Sequence, residues 1–177
     1  HGRRFRFGVE MVGPFDGLTW AESAQELEQL GYSTLFVPDH LHEGLGPITA
    51  MATAAMATTS LVVAPMVLAA DFRHPAVLAR ELASIDLLSG GRLEVGLGAG
   101  YQVHDYERSG VRMDPPGVRV GRLIEQVREH GVGARLAQLA VVADAALGRR
   151  ARHHEEVAGA LLVREDAVHQ RLVGGVQ

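Results

Sequence analysis

Apolar residues in this chain fall into short unbroken runs that alternate with stretches of helical spacing, up to about residue 128. Phe5 to Met11 reads as a first strand, with Phe5, Phe7 and Val9 on one face. Thr19-Trp20-Ala21-Glu22 has the composition of a capping box, in which the hydroxyl and the carboxylate each satisfy an orphan N–H at a helix start. Trp20, Ala24 and Leu27 continue the helical period until Gly31 closes it. Ser33 to Val37 is a second strand, stopped by Pro38. A second helix then runs from Pro47 through Ile48, Met51 and Ala55 to about Thr58, with Met51 and Met56 as core filler.

The stretch from Leu61 to Gly100 is the centre of the pattern. Leu61 to Leu68 is nearly all apolar, as expected of a strand buried on both faces. Asp71-Phe72-Arg73 breaks it, and His74-Pro75 starts a helix with proline at the first helical position, where its missing N–H is not needed. Leu78, Leu82 and Ile85 give that helix one apolar face, and Gly90-Gly91 ends it. Leu93 to Leu97 is the fourth strand, finishing in Gly98-Ala99-Gly100. Pro65 inside the third strand marks an edge or a bulge. Gly96, Gly98 and Gly100 leave one side of the backbone bare, open either to a flat ligand or to close packing of another backbone.

Strand starts at 5, 33, 61 and 93 recur at the interval of one βα unit, near the roughly 31 residues per unit of an eight-unit barrel. The predicted fold class is therefore α/β, an incomplete (β/α)8 TIM barrel of about four N-terminal βα units. A doubly wound sheet fits the same intervals, but no GxGxxG opens the first helix, and polar residues gather after several different strands. Four further units would need roughly 124 residues, and the chain ends at Gln177. Tyr101 to Gly117 reads as a long loop, and Val118 to about Arg128 as a helix with Leu123, Ile124 and Val127 inward.

From Glu129 onward the composition shifts to Ala, Val, Leu, Arg and Gly, with no aromatic residue. Leu136 to Leu147 and Glu155 to Leu162 have the spacing of amphipathic helices. The expected domains are thus 1–128, the N-terminal half of a barrel, and 129–177, a mainly helical tail that is truncated, rearranged or read in a shifted frame.

Composition narrows the function classes. At 177 residues, 47% hydrophobic and a formal charge of -4, the chain has the core of a globular domain and no basic footprint for nucleic acid. It has no cysteine, hence no disulfide and no thiolate metal site. The opening HGRRFRFGVEM starts on His1, as a partial reading frame would, and lacks the apolar core of a signal peptide or a membrane span. A cytoplasmic protein is expected. Every basic side chain apart from histidine is arginine, as in a GC-biased coding sequence.

The DFRHP segment, the helix ending in DLLSGGR and the following LEVGLGAGY resemble the luciferase-like monooxygenase family, and most closely its branch that uses the deazaflavin coenzyme F420. The resemblance runs from about Phe5 to Val127. It implies a barrel with the coenzyme across its strand ends and hydride exchange with a small organic substrate; a homodimer is expected because an open parallel sheet leaves its edges unpaired. FMN is the alternative cofactor, in an FMN-dependent monooxygenase; a further alternative is a catalytically silent half-barrel that self-associates through its uncovered edges.

Asp39-His40, a charged pair at the mouth of a predicted strand, is the best chemical candidate, because barrel enzymes keep reactive groups there and a histidine titrates near neutral pH. The plain structural alternative is that Asp39 caps a turn and His40 is exposed. The resemblance implies that both face the deazaflavin ring as catalytic and cofactor-binding residues. It also implies that Met66 and Val67 form a bulge with a non-proline cis peptide behind the ring, and that Gly98 and Gly100 admit it. Asp39, His40 and His42 also hint at a metal site, but no later motif completes a ligand set, so no metal is expected. His104, Asp105 and Glu107 form a second polar cluster. Relatives with an acid after the fourth strand place it where this chain has Tyr101 and Gln102, which leaves the proton donor unassigned.

Overall fold

A computed structural model describes residues 5–129 and 139–142. In chain order these form β1 (Gly8–Glu10), α1 (Trp20–Gln29), β2 (Thr34–Val37), α2 (Pro47–Ala57), β3 (Val62–Pro65), β4 (Leu68–Ala69), α3 (Pro75–Ser89), β5 (Val95–Gly98), α4 (Val103–Ser109), α5 (Pro116–Glu129) and β6 (Leu139–Val142). Every strand pairing is parallel. β1, β2 and β3 make one sheet, β4, β5 and β6 another, and a bridge from Val63 to Leu93 joins them.

Local signals place the helices. Thr19 caps α1 through the Glu22 N–H while the Glu22 carboxylate accepts from the Thr19 N–H at 2.7 Å, so the capping box forms as the sequence predicts. Pro47 and Pro75 open α2 and α3, and Gly90 ends α3 in the left-handed conformation. Leu78, Leu82 and Ile85 are buried on the sheet side, each contributing about 1.5–3 kcal/mol of transfer free energy. With Leu27, Leu35, Met51, Leu61, Leu97 and Leu123 they make one continuous core. Arg92, just beyond Gly91, ties α2 to β3 by donating to the carbonyls of Ala55 at 2.6 Å and Leu61 at 2.8 Å.

Several expectations are corrected: Met56, expected in the core, is 62% exposed, and Ile124, expected inward, is 39% exposed. Phe5 and Phe7 are 91% and 69% exposed, because pairing with β2 begins only at Gly8, and the Phe36 ring of β2 lies where a side chain on Gly8 would stand. The single strand Leu61 to Leu68 is two strands, β3 and β4, separated by a cis Met66–Val67 peptide. The loop Tyr101 to Gly117 contains α4, which Gly110 ends with a φ of 70°, and α5 starts within it at Pro116. Leu139–Val142 is a strand paired with β5, where a helix over Leu136 to Leu147 is expected; its short run of apolar residues suits a parallel strand. The predicted helix Glu155 to Leu162 lies outside the described residues. Among the described residues no helix is long and apolar enough to cross a membrane.

Candidate active site at the C-terminal strand ends

Parallel strands place the residues that follow β2, β4 and β5 on one edge of the sheet. Pro38 ends β2, and Asp39 and His40 come next. Asp39 is only 5% exposed. Arg73 grips its carboxylate with two hydrogen bonds of 2.5 and 2.7 Å, and the Ala69 N–H adds a third at 2.9 Å. A buried carboxylate needs such partners. Its oxygens are thereby committed to holding the β2 loop against β4 and the turn Ala70–Phe72. Arg73 belongs to the DFRHP segment, but no local pattern ties it to Asp39.

His40 has a different partner. Its Nδ1 lies 2.8 Å from Oδ2 of Asp105, in the first turn of α4. Asp105 is buried, accepts the Leu41 N–H at 2.8 Å on Oδ1, and lies 3.3 Å from His42 Nδ1. Burial pushes its pKa up, but the His40 bond, the Leu41 N–H and the His42 bond outweigh burial and hold it below the ordinary aspartate value. The two imidazoles stand 5.2 Å apart, and the exposed Tyr101 ring meets His40 edge-on at 6.1 Å. Of the second polar cluster only Asp105 joins the site. His104 and Glu107 pair with each other at 3.1 Å on the exposed side of α4.

Met66 and Val67, directly after β3, are both half-buried. The cis peptide between them is present, and the Met66 N–H bonds the Val37 carbonyl at 2.9 Å. The glycines of β5 serve this bulge directly. A Cβ on Gly96 or Gly98 would stand 2.7 Å from a Val67 methyl, and one on Gly100 would collide with the Tyr106 hydroxyl. A side chain at Gly98 or Gly100 is thus excluded by Val67 and Tyr106, the close packing that the bare backbone also allows.

A buried network fixes this edge from below. The Tyr106 hydroxyl donates to Asp71 Oδ2 at 2.9 Å, and Arg122 stands 3.1 Å from Asp71 Oδ1 without hydrogen-bond alignment. Burial and the Asp71 carboxylate raise the Tyr106 pKa, with Arg119 partly offsetting them. Arg119 lies over the Tyr106 ring at 5.7 Å and donates to the Gly100 carbonyl. Tyr106, Arg119 and Arg122 carry no motif that marks them beforehand, since each acts across a distance in sequence.

The luciferase-like monooxygenase family model matches residues 16–129, which include all these groups. The chain belongs to that family. Among its relatives are the 4-hydroxyprotoasukamycin monooxygenase of Streptomyces nodosus subsp. asukaensis, 34% identical over 55% of this chain, and an F420-dependent glucose-6-phosphate dehydrogenase of Amycolatopsis mediterranei, 31% identical over 70%. The chain spans 27% of the first relative's length and 39% of the second's. The oxygenating constituent of 3,6-diketocamphane monooxygenase from Pseudomonas putida, solved with FMN, shares the fold: 21% identity, a TM-score of 0.59, 69% of this chain and 37% of that one. The luciferase-like family thus includes F420-dependent and flavin-dependent oxidoreductases.

Proposed function

We propose that this chain carries the ring-facing part of a coenzyme F420-dependent oxidoreductase that exchanges a hydride with a small organic substrate. The observation that carries the reading is His40, held through Nδ1 by the buried Asp105 at the end of β2. Among the described residues its Nε2 has no hydrogen-bond partner, so a reacting group has one imidazole nitrogen free to meet. We read β1 to β6 as the first part of a (β/α)8 barrel, whose reactive groups sit at this end of the strands.

The residues fit a flat aromatic coenzyme. We read Met66 and Val67 as an apolar shelf for the ring: the Met66 N–H bonds the Val37 carbonyl, two residues before Asp39, and the glycines of β5 leave Val67 room to stand there. When bound, the deazaflavin supplies the redox chemistry. Met66 and Val67 would support its face. With its own proton on Nδ1, His40 would accept at Nε2 the proton that a substrate hydroxyl loses as its hydride departs. Asp39 is a positioning residue, acting through Arg73 and the Ala69 N–H. Gly98 and Gly100 act through Val67 and Tyr106.

FMN is the second reading, favoured by the FMN complex of the Pseudomonas putida neighbour, since the same shelf would take that ring. A silent, self-associating chain is the third, favoured by Val77, Leu87 and Leu88 exposed on α3. Equilibrium titration with F420 and with FMN, followed by fluorescence, separates the three. The first reading expects saturable F420 binding that weakens in His40→Ala, which removes the imidazole from beside the ring, and not in His104→Ala. Tighter FMN binding favours the second reading, and saturation by neither favours the third.

A further inference from the structure

We propose that His40, His42 and Asp105 form a three-donor site for a divalent transition-metal ion of the zinc class, independently of any coenzyme. One donor atom from each residue lies within 4.8 Å of the other two. The sequence leaves the His40-x-His42 pair without a third donor, but α4 brings Asp105 to it from across the sheet. The chain bends at Leu41, and both imidazoles present Nδ1 to the carboxylate, where an entering ion displaces the proton that His40 otherwise shares with Asp105.

Spacing and surroundings favour an ion. Bond lengths of about 2.0–2.2 Å in a tetrahedral zinc site put neighbouring donor atoms about 3.3–3.6 Å apart. His42 Nδ1 and Asp105 Oδ1 stand at 3.3 Å, and His40 Nδ1 and Oδ2 at 2.8 Å. These two contacts run to different oxygens of Asp105; the set with one donor per residue lies within 4.8 Å and reaches that spacing when the part-exposed histidines close in by up to about 1.5 Å. Outer partners are already in place. The Leu41 N–H holds Asp105 Oδ1 at 2.8 Å, and Glu43 Oε1 lies 3.6 Å from His42 Nε2, beside the ring nitrogen that a ligating histidine offers to a carboxylate. Two imidazoles and one carboxylate suit zinc or cobalt over magnesium or calcium, which prefer oxygen donors. Both histidines are part-exposed, which leaves an approach for the ion and room for water as a fourth ligand.

Cobalt(II) titration of the full chain without coenzyme, read by its visible absorption and by displacement with zinc, tests the site. Saturable binding is expected, weakened roughly tenfold or more in His42→Ala and in Asp105→Asn and unchanged in His104→Ala. Circular dichroism checks that each variant folds; should Asp105→Asn fail to fold, the part-exposed His42→Ala decides alone. Absence of saturable binding overturns the proposal. Equal affinity in His42→Ala also overturns it, by assigning the ion to other histidines of the chain. Because no coenzyme is added, failure here leaves the oxidoreductase reading intact.

Discussion

His40 Nδ1 and Asp105 Oδ2 lie 2.8 Å apart although 65 residues separate them in sequence. A carboxylate on one ring nitrogen fixes which nitrogen keeps the proton. Neutral His40 is therefore expected as the Nδ1–H tautomer, with Nε2 bare. Long-range nitrogen–proton NMR of the imidazoles checks this, and Asp105→Asn should shift the population toward Nε2–H. An Nε2–H form in the unmodified chain would remove the proton-accepting role.

The Asp39–Arg73 pair is asymmetric in its consequences. Arg73→Leu leaves a buried carboxylate without its countercharge, which costs about 3–5 kcal/mol at a buried pair; with Arg73 one-fifth exposed, the lower end is expected. Asp39→Asn with Arg73→Leu should cost less than Arg73→Leu alone. Urea unfolding of the three proteins measures the difference.

Much of the architecture is legible because its signals are local. Thr19 and Glu22, Pro47 and Pro75, and Gly90 each act within a turn or two of their own position, and each marks its helix end. The site is legible in half. His40 stands out because it follows a strand, and Met66 and Val67 through resemblance. Asp105 becomes a site residue only because the strand order brings α4 beside the β2 loop, and no periodicity encodes that. Asp39 reads as a ring-facing acid or a turn cap until Arg73, 34 residues on, is seen to grip it. The glycines of β5 are conspicuous, yet the atoms that need their space belong to Val67 and Tyr106.

Gly98 and Val67 should therefore be coupled. Gly98→Ala places a methyl 2.7 Å from Val67 Cγ2, an overpacking that costs about 1–3 kcal/mol. Val67→Ala should relieve it, so the double variant is expected to be more stable than the sum of the single changes. Thermal or urea unfolding in a double-mutant cycle reads the coupling; simple additivity would show that Val67 does not depend on the glycine.

Glu28 gives the fold a defined acid response. Burial pushes its pKa up, but the N–H groups of Ser60, Leu61 and Thr59 and the Ser60 hydroxyl prevail and bring it down to about 2 from 4.5. A carboxyl lowered by folding stabilises fully above its unfolded value and loses that contribution as pH falls through the folded one. Glu28→Gln should thus be less stable than the parent at pH 7, with the gap narrowing between 4.5 and about 2. Unfolding of both proteins across that range tests it; a gap independent of pH would assign the stabilisation to packing.

Binding of a flat coenzyme against His40, Met66 and Val67 is the central claim, and NMR of the full chain titrated with F420 tests it most directly, because it reports weak binding as well as strong. Aromatic ring currents should shift the Val67 methyls, the Met66 methyl and the His40 ring protons together, along one saturation curve, while the surface pair His104 and Glu107 stays still. Shifts confined to other parts of the chain, or none at millimolar coenzyme, would contradict the account.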